Sequence, residues 1–272
     1  MIGLDLFSGI GGLSIALEGY ARPVAYCEND RYAQAILMSR QRDGRLPIAP
    51  IWDDVRTLKG NVLPASIDII WGGFPCQDIS VAGCGKGLEG ERSGLFFEIL
   101  RLAEEIKPKF IFLENVPAIR TRGLNRVGYE LAELGYDLRW CTLSAQEVGA
   151  NHKRERWFCL AHSNNRFSEF AHKEIQAGRA SVNNGRDDFS YSYSMRKLQQ
   201  KGCFKKLRER TCNSSWWKTE PNVGRVADGV QFRVDRIKCL GNAVVPFQAR
   251  TAFESLIGLN SLNEFPPPKT GG

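Results

Sequence analysis

Three groups of side chains in this sequence have the types and spacing that chemistry requires. The first is Cys76, in Gly72-Gly73-Phe74-Pro75-Cys76-Gln77-Asp78-Ile79-Ser80. A thiol becomes a soft nucleophile once it loses its proton, and the rigid ring of Pro75 restrains the backbone on one side of it. The second is Glu114, which follows the apolar run Phe110-Ile111-Phe112-Leu113 and precedes Asn115. In a partly apolar cleft a carboxyl group can hold or give a proton. The third is the pair Arg154 and Arg156, in Asn151-His152-Lys153-Arg154-Glu155-Arg156. Arginines at i and i+2 of an extended strand project to one face, which suits an anion or a carbonyl group. Each group has a plain structural alternative as well: a small core thiol, a turn-capping carboxylate, a surface salt bridge.

The pattern between Cys76 and Glu114 predicts how they meet. Ile67-Asp68-Ile69-Ile70-Trp71 reads as a buried strand ended by the glycine pair, and 110–113 reads as another. Leu95 to Ile106 is an amphipathic helix that Pro108 terminates. A right-handed strand, helix, strand crossover makes the two strands neighbours, so residues 38 positions apart reach one carboxyl edge of the sheet. Between them, 80–92 carries Gly83, Gly85, Gly87 and Gly90, a composition that fits either a closing lid or a linker.

The chain opens in the same style. A strand over 2–7 runs into Ser8-Gly9-Ile10-Gly11-Gly12, then a helix carrying Leu13, Ile15, Ala16 and Leu17. Such a turn, with Gly9, Gly11 and Gly12, cradles a nucleotide-like cofactor by backbone N–H groups and a helix N-terminus. Its spacing is not GxGxxG, so a redox dinucleotide is not indicated. Glu28, after the short strand 23–27, is placed either to accept from ribose hydroxyls or to favour the start of a helix over 31–38. Asp54, in a third unit over 51–55, can accept from an adenine amino group or be solvated. Helices are predicted over 123–134, 234–240 and 247–259, and strands over 137–143 and 157–161. The whole reads as α/β with buried, mostly parallel strands.

The chain has 272 residues and is 43% hydrophobic, enough for a substantial core in one domain or a domain with an insertion. No run approaches the ~20 apolar residues of a membrane span, and Met1 leads straight into a strand, so a cytoplasmic protein is expected. The eight cysteines form no CxxC pair and the three histidines lie ten residues apart, so reduced thiols and no metal site are expected. The net charge of +7 is local. Residues 164–238 hold 16 of the 37 Lys and Arg against 8 of the 30 Asp and Glu, while the remaining 21 and 22 nearly cancel. A near-neutral body with a basic segment suits a polyanionic partner. Within that segment Phe189, Tyr191, Tyr193, Phe204, Trp216 and Trp217 either stack on bases or form a small core of their own.

Five stretches, Asp5-Leu-Phe-Ser-Gly-Ile-Gly-Gly12, Gly73-Phe-Pro-Cys76-Gln, Glu114-Asn-Val116, Lys153-Arg-Glu-Arg156 and Gly241-Asn-Ala-Val-Val-Pro246, resemble in order the motifs of the DNA cytosine-5 methyltransferases. With their surroundings they cover nearly all of the chain except about 164–220. The resemblance implies a Rossmann-like, mostly parallel seven-stranded sheet that binds S-adenosyl-L-methionine, plus a small target-recognition domain across a DNA cleft. It implies a catalytic and cofactor-binding domain over 1–163, a recognition region over 164–220, a return to the first domain over 221–262 and a flexible tail over 263–272. Phe7 would stack on adenine, Glu28 hold the ribose and Asp54 the adenine amino group. Pro75 and Asn242 would complete the cofactor pocket.

The same resemblance makes Cys76 the nucleophile at C6 of a cytosine flipped from duplex DNA, Glu114 its proton partner at N3, and Arg156, with Arg154, the ligand of O2. The expected protein is a monomer of compact phage or bacterial type, with double-stranded DNA as partner and a cognate restriction endonuclease as a further one. Two features depart from the family: the recognition segment is short, and the longer arginine-led motif of many relatives is missing before Gly241. The rivals are a tRNA cytosine-5 methyltransferase with the same motifs and a non-catalytic DNA-binding homologue.

Overall fold

In a computed structural model of the chain, residues 1–64, 66–75, 94–163, 196–197 and 233–258 are described. Cys76, the glycine-rich stretch 80–92, the tail from 263 and all of the 164–220 region except Arg196 and Lys197 lie outside the described residues.

Strands β1 (Ile2–Leu6), β2 (Arg22–Cys27), β3 (Ile51–Trp52), β4 (Ile69–Gly73), β5 (Phe110–Asn115), β6 (Tyr136–Ser144), β7 (Glu155–Ser163) and β8 (Arg196–Lys197) form one sheet, ordered β3-β2-β1-β4-β5-β7-β6-β8. β7 runs antiparallel to both β5 and β6; the other pairings are parallel. The seven expected strands are therefore present, with a two-residue eighth along β6. Helices α1 (Gly12–Ala16), α2 (Arg31–Arg42), α3 (Gly94–Ile106), α4 (Ile119–Arg122), α5 (Leu124–Glu133), α6 (Arg233–Asn242) and α7 (Pro246–Ile257) complete the described fold.

The central strands read as unbroken apolar runs because both sheet faces are covered. Alternation along each strand sorts their side chains. Ile70, Ile111 and Leu113 join Phe96, Ile99 and Leu102 of α3 and Val127 and Leu131 of α5. Ile69, Trp71 and Phe112 face the other way, onto Leu13 of α1 and Ala252, Phe253 and Leu256 of α7. The first and last helices of the described chain thus share one face of β4.

β4 ends at the glycine pair, as the sequence suggested, but it includes both residues, with Gly72 opposite Leu113 and Gly73 opposite Glu114 of β5. The reason for Gly72 is a close neighbour, since a β-carbon there would lie 2.6 Å from the Leu6 carbonyl oxygen. Likewise β1 stops at Leu6, because Phe7 turns out of the strand with φ 52°. The third strand is only Ile51–Trp52, leaving Asp54 in the following turn. Among the described residues no helix is long and apolar enough to cross a membrane, and no cluster of three or more His, Cys, Asp and Glu could hold a metal ion.

Candidate active site

The pairing of β4 with β5 delivers Glu114 beside Gly73, and β5 with β7 brings Trp157 opposite Asn115. Arg156, one residue earlier on β7, reaches Glu114: its Nε lies 2.9 Å from Oε1, with the two side chains only 17% and 14% exposed. Arg156 Nη1 also donates to the Glu155 carbonyl oxygen at 2.8 Å. Burial raises the Glu114 carboxyl to about 6, opposed first by Arg156 and then by Arg154. Glu114 can therefore carry or release a proton near neutrality. Gly73 makes room for it, because a β-carbon at that position would stand 2.7 Å from Glu114 Oε2.

The next residue, Asn115, is buried and ties the two strand tips together. Its Nδ2 donates to the Phe74 carbonyl oxygen at 3.1 Å and its Oδ1 accepts from the Val116 N–H at 2.8 Å. Phe74 is itself buried and packs on Phe96 of α3, ring centres 5.1 Å apart. Pro75 is half-buried at the end of this braced segment. The sequence offered a signal for Asn115, a polar residue closing an apolar strand, but not its partner.

One strand over, after β1, stands the glycine-rich turn. Gly9 and Gly11 have φ 53° and 83°, values that favour glycine. Among the described residues a β-carbon on Gly9 would meet nothing within 4 Å, whereas on Gly11 it would strike Leu46 at 2.5 Å and on Gly12 Val244 at 2.8 Å. One glycine is left uncrowded by them and two are packed from behind. Glu28 holds the turn from the side: Oε2 accepts from Gly9 N–H at 2.7 Å and Oε1 from Asp30 N–H at 2.8 Å. The residue that caps α2 is Asp30, which accepts from Tyr32 and Ala33. Glu28 is therefore a brace between two loops rather than a helix-end charge.

Arg40 Nη1 donates to the Ile10 carbonyl oxygen. Below the turn Asp5 is fully buried and accepts from Ser14 Oγ at 2.5 Å. Burial lifts its pKa to about 7 against that hydrogen bond. Trp71 tempers the rise without closing a hydrogen bond, so Asp5 Oδ1 has no partner among the described residues. Since α1 has only five residues, the N–H groups of the turn, rather than a long helix dipole, would meet a cofactor. Asp54 Oδ1 accepts from Arg56 N–H at 3.0 Å, and an exposed ion pair joins the two side chains.

The Gly241–Pro246 stretch arrives from far along the chain. Asn242 is the exposed last residue of α6. Val244 rests on Gly12, and Lys238 pairs with Asp30 at 2.5 Å. Arg154 corrects the sequence reading. It lies before β7, with φ 23°, and so does not share an extended strand face with Arg156. Its Nη2 donates to the carbonyl oxygens of Gly241, at 2.8 Å, and Ala243. Gln248, which the sequence reading passed over, is fully buried and donates to the carbonyls of Leu143 at 2.7 Å and Arg154 at 2.8 Å. It shares the buried face of α7 with Thr251 and Ser255, so nothing local set it apart.

A sheet with one antiparallel strand, a glycine-rich turn and a mostly buried carboxyl–guanidinium pair at one edge defines a methyltransferase-type α/β protein. The family model for C-5 cytosine-specific DNA methylases matches residues 1–233, and the chain belongs to that family. It is 42% identical over 159 residues to the Type II methyltransferase M.CviJI of Paramecium bursaria Chlorella virus IL3A, covering 58% of this chain and 42% of that protein. It is 35% identical over 166 residues to the Type II methyltransferase M.HhaI of Haemophilus parahaemolyticus, covering 59% and 49%. The chain thus matches about half the length of these curated relatives. The crystal structure of Schizosaccharomyces pombe Dnmt2 methyltransferase shares the fold over 97% of this chain and 100% of that chain, with TM-score 0.56 and 17% identity.

Proposed function

We propose that the protein is a DNA cytosine-5 methyltransferase using S-adenosyl-L-methionine. The observation that carries the reading is the Glu114–Arg156 pair, two residues of the family's motifs in contact at the carboxyl edge of β5. Three peptide units separate Gly73 from Cys76, a reach of at most about 11 Å.

The glycine-rich turn suits the cofactor on two counts: no described residue crowds Gly9, and Glu28 and Asp54 stand at adjoining strand ends. Phe7, Gly9, Gly11, Gly12, Glu28, Asp54, Pro75 and Asn242 would hold it. When bound, it supplies an electrophilic methyl group on a sulfonium centre. C5 of cytosine is a poor nucleophile, and the protein's task is to change that. The Cys76 thiolate adds to C6, giving C5 enamine character. Glu114 shares its proton with ring N3 as negative charge develops, and Arg156 binds O2. Once C5 has bonded the methyl carbon, its proton passes to a water molecule, the C5–C6 double bond re-forms and the C6–S bond breaks, releasing the thiolate. Since C6 is buried in stacked duplex, the base must be flipped into the site, and the basic segment 164–238 would neutralise phosphates around it.

Cys76→Ser tests the assignment. Transfer is expected to vanish while cofactor affinity stays within about twofold of wild type; loss of cofactor binding in a folded variant would contradict the separation of roles.

A further inference from the structure

Arg154 is built into the fold in a costly way. Its φ of 23° lies in the left-handed region that L residues rarely adopt, and its Nε is buried with no partner among the described residues. Such a conformation persists only where the surroundings over-determine it, and here they do. Its carbonyl oxygen accepts from Ala145 N–H at 3.2 Å and Gln248 Nε2 at 2.8 Å. Its guanidinium bonds the carbonyl oxygens of Gly241 and Ala243, at the C-terminal end of α6. The last carbonyls of a helix lack intrahelical donors and carry partial negative charge, so a cation is favoured there. Two hydrogens on one nitrogen serve two acceptors, a planar arrangement that guanidinium offers and that lysine's rotating ammonium reproduces poorly.

The fastened segment links both halves of the site. On one side Val244 covers Gly12 of the glycine-rich turn, and Lys238 reaches Asp30, two residues past Glu28. On the other, Arg154 stands two residues before Arg156, the partner of Glu114. We propose that Arg154 is a positioning residue: it buckles the end of α6 to the start of β7, so that the wall behind the cofactor turn and the Arg156–Glu114 pair share one frame. What that frame serves rests on the proposed methyl transfer, but the buckle is a property of the free protein.

Hydrogen exchange of the free protein therefore tests it first. In Arg154→Ala, peptides spanning 239–246 are expected to exchange at least tenfold faster than in wild type, including the Ala243 amide that now donates to Cys239. Arg154→Lys should fall between the two, and Arg156→Ala should leave these peptides unchanged. Cofactor affinity without nucleic acid is expected to drop at least fivefold in Arg154→Ala, and less than additively when combined with Val244→Ala. Unchanged exchange in 239–246 would overturn the buckle, and additive affinity losses would overturn the shared frame. Should Arg154→Ala fail to fold, Arg154→Lys is read the same way, with wild-type exchange as the contradicting result. Failure of wild type to bind S-adenosyl-L-methionine would instead contradict the proposed function, leaving exchange to decide the buckle.

Discussion

A β-carbon at Gly73 would stand 2.7 Å from Glu114 Oε2, so even alanine must shift the carboxylate that Arg156 holds by its other oxygen. Gly73→Ala is accordingly expected to fold and bind cofactor but to lose about 100-fold in single-turnover methyl transfer, the scale that a displacement near 1 Å can cost; a rate within threefold of wild type would mean the pair tolerates displacement. Asp5 makes a different prediction. Burial raises its folded pKa from 3.8 to about 7, so between those values the folded state keeps a proton the unfolded chain has released. Stability therefore falls as pH rises through that window. Relative to Asp5→Asn, which can still accept from Ser14, wild type should lose up to roughly 4 kcal/mol from about pH 4 to about pH 7, at about 1.4 kcal/mol per unit. Urea unfolding across that range measures it, and a pH-independent difference would show that Asp5 stays ionised.

At the scale of elements, the crossover rule was enough to make the strands that precede Cys76 and carry Glu114 neighbours, since handedness and loop length leave little choice, and β4 and β5 pair as expected. The glycine-rich turn and the acids after β2 and β3 were legible for the same reason: type and spacing are local. The reason for Gly72 was not legible, because a sequence records a glycine's freedom but not the Leu6 carbonyl that demands it. Arg154 was misread because the i, i+2 rule presumes an extended backbone. Long-range pairs such as Lys238 with Asp30 had no local signature at all. Gln248 shows what such contacts sustain, since one amide of α7 holds the end of β6 and the residue before β7. Gln248→Leu is expected to cost roughly 2–3 kcal/mol, because buried acceptors lose their donor; a variant as stable as wild type in urea would mean other donors or water satisfy them.

For the whole molecule, the sheet joins the first helix to the last through one shared face, so the described chain closes on itself around β4. Residues 164–238 carry an excess of eight positive charges while the rest of the chain is nearly neutral, a distribution that favours a nucleic acid as partner. The relatives named Type II methyltransferases are matched over only 42% and 49% of their lengths, and substrate choice is a property that must be read from the protein itself. Incubation with radiolabelled S-adenosyl-L-methionine and either duplex DNA or tRNA, followed by nucleoside chromatography, does so most directly. Label in 5-methylcytosine from duplex DNA is the predicted result; label from tRNA alone, or none from either while the cofactor binds, would contradict it.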